Sequence, residues 1–137
     1  MASNEPITLN IKKTDFPTYQ EILASSALKG RTTKEVFLLA AVLGFKKGHR
    51  ISIKGGKKSY VRTEFLDEKD KTLINAIAIK ETGNPDIIKD KKEVFNIVEE
   101  YANAGLRELK DMVFEKETGS FLKKFEGYLR DCLDKEE

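Results

Sequence analysis

The sequence is short of the residues that most chemistry needs. Of its 137 residues, one is cysteine and one is histidine. Cys132 has no second cysteine to pair with, so neither an intramolecular disulfide nor a cysteine-based zinc site is expected, and a reducing, cytoplasmic setting follows. His49 lies among Lys46, Lys47 and Arg50, where a lone histidine reads as a surface or phosphate-contacting residue rather than a general base. Long apolar runs are also missing. The longest, Val36 to Leu43, has eight residues, against the roughly 20 that a membrane span needs. The segment Met1 to Leu9 contains Glu5 and Pro6 and no apolar stretch of the signal-peptide kind. Neither membrane insertion nor export is expected.

Nucleotide and metal motifs fail as well. Gly55-Gly56-Lys57-Lys58-Ser59 invites comparison with a phosphate-binding loop, but Lys58 stands where Ser or Thr should follow the Gly-Lys pair, and Ile51 stands where the first glycine should. A glycine turn accounts for it. Glu99 and Glu100 are adjacent, so on a helix they point to different parts of a face and read as solvated charge. No catalytic residue, metal ligand or cofactor is expected.

What the chain has in quantity is charge, unevenly placed. Ten of its 25 basic residues fall between Lys29 and Arg62, beside a single acid, Glu35. The remainder carries 15 basic against 22 acidic residues, beneath a net charge of +2. A basic block followed by an acidic half implies a polyanion-binding surface or a dock for an acidic partner. Candidate phosphate contacts are Lys46, Lys47, Arg50, Lys54, Lys57, Lys58 and Arg62, which would set affinity without reading sequence. Tyr60 could stack on a base or sugar. A plain alternative is that these lysines only blunt an exposed edge strand.

The periodicities predict a mainly α protein of about five helices with a small β-hairpin. Residues 1–13 read as a flexible N-terminal arm, in which Ile7, Leu9 and Ile11 alternate as in a short strand; residues 14–137 read as a single helical domain. Pro17 opens a helix that should stop at Gly30. Thr32 and Glu35 have capping-box spacing ahead of Val36 to Leu43, a helix apolar on every face and therefore buried inside the subunit or against another. Gly44 and Gly48 should bracket its end. Ile51 to Ile53 and Tyr60 to Arg62, around Gly55-Gly56, read as the two arms of the hairpin. Asp67 to Lys80 is a third helix, stopped by Gly83 and Pro85. Asp90 caps a fourth, with Val94, Ile97, Val98, Tyr101, Gly105, Leu109 and Met112 on one face. Phe121 to Leu133 forms a last amphipathic helix. Gly105 and its small neighbours permit close helix approach; the sharper reading is a partner-binding notch formed by Tyr101, Asn103 and Gly105.

Three blocks in fixed order resemble a known family: Val36 to Arg50 (VFLLAAVLGFKKGHR), Ala76 to Ile88 (AIAIKETGNPDII) and Glu99 to Leu106 (EEYANAGL). Together they resemble the small proteins called DNA phosphorothioation-associated protein 4, or Dnd system-associated protein 4, over about Thr33 to Leu109. The N-terminal arm, the lysine-rich hairpin and the helix after Thr118 depart from that pattern. Those proteins are encoded beside bacterial and archaeal DNA sulfur-modification and restriction genes. The resemblance implies an antiphage setting and an accessory or adaptor role, with no catalytic residues to carry over. The expected partners are a larger protein of the defence system, the DNA backbone through phosphate contacts, and a second copy of the chain if the all-apolar helix associates. The alternative is a stand-alone dimeric DNA-binding regulator. No helix, however, gathers the Arg, Asn and Gln side chains that read base edges.

Overall fold

The structure, a computed structural model, describes residues 7–115. The helix expected over Phe121 to Leu133, and Cys132 with it, lie outside the described residues.

The clearest local signals form as expected. The helix α2 (Thr33–Lys47) is opened by a complete capping box: the Glu35 N–H donates to Thr32 Oγ1 at 3.3 Å and the Thr32 N–H to Glu35 Oε1 at 3.0 Å. It is closed by Gly48 at φ 73°, a left-handed conformation that costs a residue without Cβ nothing. A second capping box, Asp67 with Asp70, opens α3 (Glu68–Thr82), and Gly83 closes it. Asp90 accepts from the Glu93 N–H at 3.2 Å and starts α4 (Lys91–Glu115). Ahead of these, α1 (Phe16–Leu23) has proline in its first turn and ends sooner than its apolar pattern suggests; Ser26–Leu28 continue as a short 3₁₀ turn before Gly30. Among the described residues no helix is long and apolar enough to cross a membrane.

Among the described residues the β-structure is a two-stranded antiparallel sheet, but its pairing is not the expected one. Lys57–Arg62 is a strand, β2, and its partner is β1 (Thr8–Lys12) rather than Ile51 to Ile53, which form no strand. The described part of the expected flexible arm is thus a core strand, with Leu9 and Ile11 buried. Burial explains the choice. Leu9 and Ile11 alternate inward, with Leu9 opposite the inward Val61 and Ile11 opposite Lys58, whereas residues 51–53 are held against α4: the Ile51 N–H donates to the Glu100 carbonyl at 3.2 Å, and Asn103 Nδ2 donates to the Ile51 carbonyl at 3.0 Å. Register slips once, between Leu9↔Val61 and Asn10↔Ser59, so Tyr60 is an unopposed bulge residue. The Asn10 N–H turns instead to Glu99 Oε2 at 2.8 Å.

Helices α1 and α4 and strand β2 pack on α2, while α3 and β1 pack on α4. Residues Val36 through Gly44 are buried without a break, and among the described residues the most extensive interface is that of α2 with α4. Gly44 and Gly105 face each other there. A Cβ on Gly44 would overlap the Tyr101 carbonyl oxygen, and one on Gly105 would overlap the Ala40 carbonyl oxygen and crowd the Gly44 nitrogen. Close helix approach is therefore what Gly105 provides.

Helix propensity alone would make Gly105→Ala stabilising by about 1 kcal/mol. The crossing predicts the opposite sign, a loss of about 2 kcal/mol or more from overpacking against backbone that cannot rotate away. Urea unfolding midpoints decide it: a raised midpoint for Gly105→Ala would show that the helices do not meet there.

Candidate functional site

Most of the basic residues singled out by the sequence are neutralised within the chain. Arg50 leaves α2 through the Gly48 turn and meets three carboxylates. Its Nε donates to Glu100 Oε1 at 2.7 Å and its Nη1 to Glu81 Oε2 at 2.7 Å, while Nη2 lies 3.8 Å from Glu93 Oε2. Partial burial works against its charge, but the hydrogen bonds to Glu81 and Glu100 raise its pKa on balance. The Tyr101 hydroxyl donates to the other oxygen of Glu81, and the Tyr101 ring meets Phe45 edge-on at 5.4 Å. This hydrogen bond is the main reason that the Glu81 pKa is lowered; burial opposes it and Arg50 adds to it. Burial, and then the same bond, raises the pKa of Tyr101.

The result is a clamp: one guanidinium joins the end of α2 to the last turn of α3 and the middle of α4. Its parts come from all three sequence blocks of the resemblance, with Phe45 and Arg50 from the first, Glu81 from the second, and Glu100 and Tyr101 from the third. Gly44 and Gly105, from the first and third, close the crossing beside it.

A second pair sits on the other side of α4. Glu99, buried to 4% exposure, accepts from Lys57 Nζ at 2.8 Å as well as from the Asn10 N–H. It fixes both strands to the helix. Adjacent in sequence, Glu99 and Glu100 thus point to two different structural cations, and neither is the solvated charge expected of it.

The remaining candidates divide. Arg62 pairs with Glu64 at 2.9 Å, and Lys47 lies 3.8 Å from Glu108. Lys58 sits over the Phe16 ring at 4.7 Å. Lys46 and Lys54 are exposed. Tyr60 does not offer its face to a base: it is half-buried, 4.8 Å from the Tyr19 ring, and burial pushes its hydroxyl up to about 12. The expected partner notch is likewise occupied by the fold. Tyr101 and Gly105 are buried against α2, and Asn103 holds the segment after His49. Among the described residues no three His, Cys, Asp or Glu side chains gather as a metal site would require.

Arg50→Met should strand the Glu81 and Glu100 carboxylates in a partly buried setting and cost about 2 kcal/mol, between the values of exposed and buried pairs. Arg50→Lys should recover less than half, because a single ammonium cannot reproduce the two-nitrogen fork. Equal stability of Arg50→Met and wild type in urea would remove the clamp from the account. The clamp also sets an acid limit. The pKa of Glu81 is lowered from its ordinary 4.5, so its contribution is complete above about 4.5 and is lost as pH falls through the depressed value. Urea midpoints measured from pH 7 to pH 3 should therefore drop below pH 4.5. The drop should be shallower in Tyr101→Phe, which lacks the main cause of the shift; identical slopes would assign acid sensitivity elsewhere.

No curated protein and no solved structure matches the chain. One family model does, over residues 29–123. That span holds every part of the clamp and the α2–α4 crossing, and the chain belongs to the family of DNA sulphur modification system-associated protein 4.

Proposed function

We propose that this protein is a non-enzymatic accessory subunit of a DNA phosphorothioation-linked antiphage defence system. It works in the cytoplasm, holds a larger protein of that system and contacts the DNA backbone. The observation that carries this reading is the clamp. Within the matched span, Arg50, Glu81, Glu100 and Tyr101 are bonded to one another across helices, and Glu99 is bonded to Lys57 between helix and strand. They spend their polarity on shape. A small, rigid body with a family tie to a DNA-modifying system fits the role of a part that positions others.

Affinity purification of the tagged chain from its native host, with nuclease treatment to remove bridging DNA, tests the adaptor role. A larger protein of the modification system is expected to remain on the resin at near-stoichiometric amount. Recovery of the chain alone would overturn the role.

A further inference from the structure

The charges left over after folding are only in part the ones that the sequence groups together. A groove of about 700 Å³ runs between the start of α1, the segment after α2 and one side of α4. Lys12 from β1, His49 from the α2 end, and Arg107 and Lys110 from α4 all line it. Among the described residues, Lys12, Arg107 and Lys110 have no carboxylate within ion-pair distance, in contrast to Arg50, Lys57 and Arg62. Arg107 and Lys110 stand three apart on α4 and so project from one face. The Lys13 N–H donates to the Gly56 carbonyl at 3.0 Å, which brings the lysine-rich turn of residues 54–58 beside the strand end that carries Lys12.

We infer that this groove is the DNA-contacting surface and that it grips the phosphate backbone of a duplex without reading bases. The inference rests on the DNA-contact part of the proposed function and gives it a location. Three features select phosphate over an acidic protein. The cations sit at the ends of long side chains along an open channel, as contacts to a repeating charge require. Along α4 the groove extends from Asn103 to Asp111, about 12 Å at 1.5 Å per residue, which matches the axial rise of three or four nucleotides at about 3.4 Å each. Its large apolar lining residues are few: Leu106 is nearly buried and only Ile51 is well exposed, so it offers little of the apolar centre of a protein interface. Asp15 and Asp111 also line the groove. They temper its potential and favour weak, salt-sensitive contact over tight capture.

Fluorescence anisotropy with a labelled random-sequence duplex tests this on the full chain. Three neutralised phosphates give a slope of about −2.7 in log affinity against log salt, so binding should weaken about 40-fold between 50 and 200 mM salt. The variant Lys12→Glu/Arg107→Glu/Lys110→Glu should lose at least 10-fold more affinity than Lys69→Glu/Lys71→Glu/Lys80→Glu, an equal charge change at exposed positions of α3. If the glutamate variant fails to keep wild-type helicity, the glutamine triple at the same positions replaces it, with a smaller loss in the same direction. Equal losses in the two triples would overturn the groove in favour of diffuse charge. No binding by wild type at 50 mM, or binding to poly-glutamate that duplex cannot displace, would overturn it in favour of an acidic protein. The outcomes separate from those of the purification: a nuclease-resistant partner without duplex binding sinks the groove alone, and duplex binding without a partner sinks the adaptor role alone.

Discussion

The close crossing of α2 and α4 sets the position of nearly everything else. Gly44 lies against the Tyr101 backbone and Gly105 against that of Ala40, so the two helices meet main chain to main chain. That separation leaves no room to slide or rotate, because any side chain carried into the contact would collide. It places Phe45 against Tyr101, Arg50 between Glu81 and Glu100, and residues 51–53 along α4. It also makes α2 a helix with almost no solvent face, which explains its lack of amphipathic pattern.

Viewed along the chain, the molecule is a basic block followed by an acidic half; folded, most of that block is ion-paired. Arg50 and Lys57 meet Glu81, Glu99 and Glu100, while Lys34 meets Asp70 at 2.8 Å, its pKa raised chiefly by that hydrogen bond. The acidic partner that the basic block calls for is, in large part, α3 and α4 of the same chain. Pairs of this kind add little net stability when exposed, but here they choose which faces of the helices meet. What they leave over on the surface is a different pattern from the one written in the sequence.

The helices were legible because their signals are local. Thr32 with Glu35, Asp90 with Glu93, the glycines at 48 and 83 and the apolar face of α4 all act within a few residues of where they are read. The sheet was not legible in the same way. Its strands are separated by two helices, and the alternation of Leu9 and Ile11 shows that a strand exists without naming its partner. Two glycines before Lys57 imitate a hairpin turn, although they only redirect the chain. The candidate site suffered similarly: Arg50 and Lys57 look like free cations until Glu100 and Glu99 arrive from 50 and 42 residues away. Lys12, Arg107 and Lys110 escape notice because they belong to no block.

The bond from the Asn10 N–H to Glu99 joins residues 89 apart, and it has a consequence for how the protein is made. The strand leaves the ribosome well before the helix that holds it. At about 5–20 residues per second, the gap is about 4–18 s. During that interval Leu9 and Ile11 have neither α4 nor, at first, β2 to cover them. The nascent chain therefore waits with the inner face of its sheet uncovered, and closure of the fold awaits the synthesis of α4.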